Sequence, residues 1–320
     1  MIDLPYLSRY RVLPSVAWQR AVAAVYLPME ALTRTRMAFE GFTPPASPVL
    51  YASNSSQKYD FTAFRSAMWA RSLPIATVTK AKNYHVGWMR RLMEHIGVVP
   101  LASKGYVILR DASAVLQRRP SEAEYRALRD HLDDDTPLPD APELRALCDT
   151  ARDILGVRFD PATQTLREAW RGVYRALLGE SLRLCREAVA AGHSIHIYPE
   201  GTVSSRLGPG RIGAVQFAHA LGLPLVPVGI NGARRVYVGQ TPMLRGGGMV
   251  FRFGEAYRPD LRALPEDFCA FDPAHEKRHR GTLQAATDAL MDRIDALLSP
   301  ELQRRADHVP DGTQGTKRFL

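Results

Sequence analysis

"HSIHIYPEGTVSSRLGPGRIGAVQFAHALGLPLVPVGING", His193 to Gly232, carries the pattern that decides the fold. Ser194 to Ile197 alternates polar and apolar side chains, as a strand does, and the run meets Pro199, which cannot donate to a sheet ladder. A Glu-Gly-Thr turn follows, then a loop holding Arg206, Gly208, Gly210 and Arg211. Ile212 to Leu221 reads as a helix and "LPLVPVGI" as a second, continuously apolar strand. Strand, loop, helix and strand in that order predict an α/β sheet. A glycine-bearing loop before a helix N-terminus gathers backbone N–H donors and guanidinium groups around an anion.

The same alternation appears upstream. "SPVLYAS" is a short apolar run that predicts a buried strand, followed by the polar cluster Asn54-Ser55-Ser56-Gln57-Lys58-Tyr59-Asp60. A surface turn needs no such cluster, and the middle of a buried strand would not tolerate it. Phe61 to Ser72 then reads as a helix with Phe61, Phe64 and Met68 on one face, "LPIATVTK" as a strand, "HVGWMRRLMEHIG" as a helix closed by Gly97, and "VVPL" as a short strand.

Between the two regions the alternation lapses. Ser121 with Glu124 forms a capping box for a helix near Glu122 to His131, and "DDDTPLPDAP" reads as a hinge. Two further helices, about Glu143 to Leu155 and Thr165 to Ala191, complete a helical insertion over about 105–191. "SVAWQRAVAAVYLPMEALTRTRMAFEGF" reads as helix broken near Pro28, so residues 1–45 are expected to hold an N-terminal amphipathic helix. Two readings of it stay open: a helix packed on the core, or an interfacial one with Trp18 and Tyr26 at headgroup level and Arg34 and Arg36 facing phosphates. The last helix runs Gly281 to Leu298, and residues 301–320 read as a loose polar tail. The fold expected is one α/β domain over 46–300, a mixed sheet flanked by helices.

Of the 320 residues, 46% are hydrophobic and 23% charged, which excludes wholesale disorder. The net charge of +9 favours anionic partners without choosing among them. Cys148, Cys185 and Cys269 are too scattered for a disulfide framework or a zinc site, which suits a reducing compartment. The start lacks the layout of a signal peptide, and Val16 to Leu32, the best candidate for a membrane span, carries Gln19, Arg20 and Glu30. The expectation is a cytoplasmic protein that lies on a membrane surface rather than in it. No base-stacking aromatic motif accompanies the basic stretches, so nucleic acid is not an expected partner.

"YPEGTVSS" resembles the Pro-Glu-Gly-Thr motif of the glycerolipid acyltransferases, the lysophosphatidic acid acyltransferase superfamily. "GRIGAVQFA" and "LPLVPVGI" are similar to the helix and Val-Pro strand after that motif, and "NSSQKYD" stands where the family has Asn-His-x4-Asp. The resemblance covers roughly Val49 to Leu101 and Gly192 to Tyr257. It implies transfer of an acyl chain from acyl-CoA or acyl carrier protein to a lysophospholipid or glycerol-phosphate-type hydroxyl, at a membrane surface, with no metal and no other cofactor. It also implies a histidine that takes the acceptor's proton, held by an aspartate five residues on.

Carried over, Asp60 is the orienting aspartate, and the histidine's place is held by Ser55. A serine hydroxyl is no general base near neutral pH unless another group takes its proton. Three readings follow: a non-catalytic lipid-binding relative; another histidine as base, His85 or His196, the latter sharing strand parity with Tyr198; or Ser55 as nucleophile or water-positioning group with Asp60 as base. The resemblance further implies acceptor-phosphate binding by Glu200, Gly201 and Thr202, with Arg206 and Arg211 adding charge. Asn54 would frame the turn and belong to the substrate-binding set, and Lys104 would bind the acceptor's phosphate near the place of a family arginine. Lysine is a point charge where arginine offers a fork.

Overall fold

The computed structural model describes residues 1–12, 24, 28–84, 87–134, 136–239 and 241–305. In chain order the strands are β1 (Thr35–Glu40), β2 (Leu50–Ser53), β3 (Ile75–Lys80), β4 (Val98–Leu101), β5 (Arg152–Ile154), β6 (Val157–Phe159), β7 (Ser194–Ile197), β8 (Leu225–Asn231) and β9 (Gly247–Phe253). Seven form one mixed sheet in the order β1-β9-β8-β2-β7-β3-β4, and β5 and β6 form a separate hairpin. β8, β2, β7, β3 and β4 run parallel, β9 is antiparallel to β8, and β1 is parallel to β9. The central strands β2, β7 and β8 are buried at every position, as parallel strands covered on both faces must be.

This order places β2 between β7 and β8. The chain leaves β2 toward β3 on one side, whereas it leaves β7 for β8 on the other side of β2. The carboxyl ends of β2 and β7 thus adjoin where the connections diverge, the place where open α/β sheets form their crevices. Both motif segments follow these strand ends directly.

The strand–helix alternation read from sequence is present, with the helices Asp60–Trp69, Gly87–His95 and Gly213–Leu221 in their expected places. Two expected helices are different. Thr35 to Glu40, read as the end of a long N-terminal helix, is the edge strand β1. Here Phe39 meets Phe251 and Phe253 at ring-centroid distances of 5.4 and 4.9 Å. Those aromatic pairs across neighbouring strands outweigh the helical spacing of the stretch. The helix expected from Glu143 to Leu155 stops after Pro142–Asp149, and the chain turns through β5 and β6. Leu155 and Gly156 have φ of +53° and +91°, the left-handed pair that closes a two-residue hairpin. A helix unanticipated from sequence, Lys104–Leu116, opens the insertion, capped by Ser103 accepting from the Tyr106 N–H at 3.1 Å.

Most of the stretch read as an interfacial helix, Trp18 and Tyr26 included, lies outside the described residues. Its flanks are tied down. Ile2 and Leu7 are fully buried around the short helix Leu4–Arg9. The Leu4 N–H donates to the Leu155 carbonyl at 2.9 Å, and Arg183 donates to the Leu7 carbonyl at 3.0 Å. At the other end, the chain read as loose after Pro300 stays docked through Leu302, which is buried and whose carbonyl accepts from the Leu207 N–H at 2.8 Å. Among the described residues, no helix is long and apolar enough to cross a membrane.

The insertion is locked to its long helix, Leu166–Ala190, by one buried ion pair. Arg152 donates to both carboxylate oxygens of Asp111 at 2.7 and 2.6 Å, and the Trp170 indole N–H donates to the same carboxylate at 2.7 Å. Asp111 is 4% exposed and Trp170 is fully buried. Removing one partner strands a buried charge, which costs about 3–5 kcal/mol, whereas replacing the pair with apolar side chains is often neutral. Asp111→Ala is therefore expected to lower the urea midpoint by an amount equivalent to about 3–5 kcal/mol. Asp111→Leu combined with Arg152→Met should recover most of that loss in the same titration.

Candidate functional site

The polar cluster after β2 is folded inward. Asn54, Ser55, Ser56, Gln57 and Asp60 are all buried, and Lys58 alone in the run Asn54–Asp60 is exposed. Each buried polar group needs a partner, and those partners define the site. Asn54 extends the β2–β8 ladder: its side-chain amide donates to the Ile230 carbonyl at 3.1 Å, and its side-chain oxygen accepts from the Ile230 N–H at 2.7 Å. It holds the turn to the sheet rather than facing outward.

Asp60 is the first residue of the Asp60–Trp69 helix, where the positive end of the helix dipole favours an acid. Its Oδ2 accepts from the backbone N–H groups of Ser56 and Gln57 at 3.1 and 3.3 Å, which closes the turn on itself. Its Oδ1 accepts from the Tyr198 hydroxyl at 2.7 Å. Burial pushes the carboxyl up to about 7, against the opposing pull of the Tyr198 hydroxyl and of the N–H groups of Gln57, Ser56 and Phe61.

Glu200, at the turn after β7, is a second buried carboxyl. Oε1 accepts from the Ser55 N–H at 3.2 Å and Oε2 from the Gly208 N–H at 2.7 Å. Burial raises it to about 8; its two hydrogen bonds pull the other way, and the charge of Asp60 adds to the rise. The Ser204 N–H donates to the Ser55 carbonyl at 2.8 Å, so the two motif segments also pair backbone to backbone. Gly201 sits at φ +61°, and a Cβ there would meet the Arg211 side chain at 3.3 Å. Glycine lets the turn form and lets Arg211 lie across it, where Nε donates to the Glu200 carbonyl at 3.2 Å. Thr202 is half-buried in the same turn.

Ser55, Asp60, Glu200, Gly201 and Arg211 are thus brought together. Two residues expected beside them are occupied elsewhere. Arg206 donates to the carbonyls of Pro300 and Gln303, both at 3.2 Å, and so holds the C-terminal segment. Lys104 follows β4, three strands from β2, and pairs with Asp133 of the insertion at 2.9 Å. At ~4.8 Å per strand, that is roughly 14 Å along the sheet edge.

Of the two histidines considered as a base, His85 lies outside the described residues. His196 is fully buried on β7, with Nε2 2.8 Å from the Ser53 hydroxyl and its ring against Tyr198 and Phe64. Burial, with the nearby Arg65 charge, lowers it to about 3, so the ring is neutral at physiological pH. It touches Tyr198 rather than Asp60. The residue that does bond Asp60, Tyr198, was missed from sequence as a site residue. Its signal was its place: it directly precedes Pro-Glu-Gly and shares parity with His196. The loop after β8 also closes over the site, with Gln57 Nε2 donating to the Gly239 carbonyl and the Tyr237 hydroxyl to the Tyr59 carbonyl at 2.7 Å.

No protein-family model matches this chain, and no curated protein sequence matches it. Among solved structures, the 1-acyl-sn-glycerophosphate (LPA) acyltransferase PlsC from Thermotoga maritima is similar, with a TM-score of 0.42 and 12% identity over 85% of this chain and 79% of that one. At that identity and TM-score, residue roles do not pass from one chain to the other.

Two outcomes are expected of the buried carboxyls. Both have folded pKa values above their ordinary ones, so between those values the folded chain holds protons that the unfolded chain has released. Stability from them therefore falls as pH rises across the window from about 4 to about 8. His193 and His196, lowered to about 4 and about 3, act in the opposite sense, but only below 6.5. Chemical denaturation between pH 6.5 and 8.5 should show a decline that Glu200→Gln reduces, above all between pH 7 and 8. Tyr198→Phe removes a hydrogen bond to a buried acid and is expected to cost about 1.5–3 kcal/mol at pH 8. That cost should shrink at pH 5, where the Asp60 carboxyl is protonated.

Proposed function

We propose that the protein is an acyltransferase-type glycerolipid protein. In this reading it brings an acyl thioester, on CoA or on acyl carrier protein, to a lysophospholipid or glycerol-phosphate-type hydroxyl at the carboxyl ends of β2 and β7. One observation carries the proposal. "NSSQKYD" and "YPEGT", about 140 residues apart in the chain and both similar in frame to motifs of one family, meet atom to atom through Glu200–Ser55, Tyr198–Asp60 and Ser204–Ser55.

The reaction needs the acceptor hydroxyl to lose its proton as its oxygen attacks the thioester carbonyl carbon. The carbon–sulfur bond then breaks, an ester forms, and the thiol leaves with a proton. Ser55 cannot take the hydroxyl's proton. Asp60, raised to about 7, has the right affinity for a general base near neutral pH. Its two oxygens already accept from Tyr198, Ser56 and Gln57, so turnover is slow in this reading. No resident metal or cofactor enters the step.

The same bond favours a second reading. Tyr198 fills the position on Asp60 that an orienting hydrogen bond to an imidazole would need, so the site would bind lipid without catalysis. Thiol release from acyl-CoA in the presence of lysophosphatidic acid separates the two. Slow wild-type release that Asp60→Asn abolishes supports the acyltransferase. Acceptor binding with no release supports the non-catalytic relative. Neither release nor binding removes both. If the frame is that of a histidine-dependent acyltransferase, Ser55→His with Tyr198→Phe should gain roughly 10²–10⁴-fold, the usual worth of a positioned general base. Ser55→His alone should gain much less, because Tyr198 still holds Asp60.

A further inference from the structure

Two exposed stretches converge beside the site. The chain from Ala31 to Arg34 enters β1, and the chain from Ala233 to Gly246 leaves the end of β8 and returns into β9. Thr35 is opposite Gly247, and a Cβ on Gly246 would collide with the Thr33 carbonyl, so the two stretches lie side by side. Residues 236–239 and 241–245 pair as the two arms of a tight hairpin. The Val238 N–H donates to the Met243 carbonyl at 2.9 Å, the Arg245 N–H donates to the Val236 carbonyl at 2.9 Å, and Arg245 clamps its base by donating to the Arg235 carbonyl at 2.8 Å.

Three of the four large hydrophobic side chains that are exposed among the described residues stand here: Leu32 at 86%, Met243 at 63% and Val238 at 43%. Residues 31–39 and 232–248 contribute two and three arginines, Arg34, Arg36, Arg234, Arg235 and Arg245, and no acid. All five are exposed, and Arg235 pairs with Glu301 at 3.2 Å. The strands fix the direction of this patch. β1 and β9 begin at the edge where β8 and β2 end, so apolar tips and arginines share that edge with Asp60 and Glu200. The hairpin also touches the site itself, through Gly239 on Gln57 and Tyr237 on Tyr59.

We propose that the hairpin around Val238 and Met243, with Leu32 and the arginines beside it, is a docking surface for an anionic lipid bilayer. Separate apolar tips among basic side chains suit insertion between headgroups, with the guanidinium groups at phosphate level. A protein partner would more often meet a flatter apolar core with a polar rim. The proposal rests on the lipid reading above and adds the surface that faces the lipid. It sets the candidate site against the bilayer, where a lysophospholipid presents its hydroxyl.

The test uses the full chain and phosphatidylglycerol/phosphatidylcholine vesicles that contain no lysophospholipid and no thioester, so binding is scored apart from turnover. Co-sedimentation should favour anionic over neutral vesicles and weaken with salt. Val238→Asp with Met243→Asp should lower partition at least tenfold with an unchanged melting temperature, since both positions are exposed. Arg262→Glu, an equal charge change at a residue whose side chain is 90% exposed beyond the opposite end of β9, should leave partition nearly unchanged. Retained binding by the hairpin variant overturns the proposal, as does equal loss in Arg262→Glu, which would make the effect one of net charge. Self-association that the hairpin variant abolishes, without vesicle binding by the wild type, assigns the surface to a second copy and also overturns it. Thiol release from a short-chain acyl-CoA with monomeric lysophospholipid, unchanged in the hairpin variant, separates failure of this surface from failure of the acyl-transfer reading.

Discussion

Two carboxyl groups without access to water set the terms for the centre of this molecule. Asp60 and Glu200 lie 1% and 3% exposed at the ends of adjoining strands, and a carboxyl that has lost its water must find donors. The donors come from three chain segments: the turn Ser55–Gln57, Tyr198 after β7, and Gly208 in the glycine-bearing loop. Satisfying the two acids therefore brings these segments together. Strand order makes this possible, because only adjoining carboxyl ends let one side chain reach across. Burial, with the charge of Asp60 adding to it at Glu200, then raises both acids, so the arrangement keeps protons at physiological pH that isolated acids would release.

What was legible in the sequence follows from which interactions are local. The capping box at Ser121/Glu124, read from sequence, closes over three residues and is formed. The buried strands β2, β7 and β8 announced themselves as apolar runs between turns. The two motif segments were legible because residue types, order and spacing agree at once. Thr35 to Glu40 was not legible, since its strand identity depends on Phe251 and Phe253 more than 200 residues away. The β5–β6 hairpin was hidden because "ILGV" fits a helix end as well as a turn, and only the positive φ of Leu155 and Gly156 separates them. Within the site, Asp60 and Glu200 lie buried after the ends of adjoining strands, close to the segments that were quoted for them. The partners of Arg206 and Lys104, by contrast, come from the C-terminal segment and the insertion, which no local pattern could disclose.

The hydrogen bond between Tyr198 and Asp60 limits the proton chemistry of the centre. An imidazole can donate to Asp60 with one nitrogen and accept a proton on the other. Tyr198 donates to the same oxygen, but burial and the adjacent acid hold its phenol proton far above its ordinary range. A proton can arrive at Asp60 but cannot be relayed onward through that phenol. The site thus pairs a buried acid that can take a proton near neutral pH with a phenol that keeps its own. Ser55 lies in the same turn with its N–H donating to Glu200, while Tyr198 from the end of β7 supplies the side-chain hydrogen bond to Asp60.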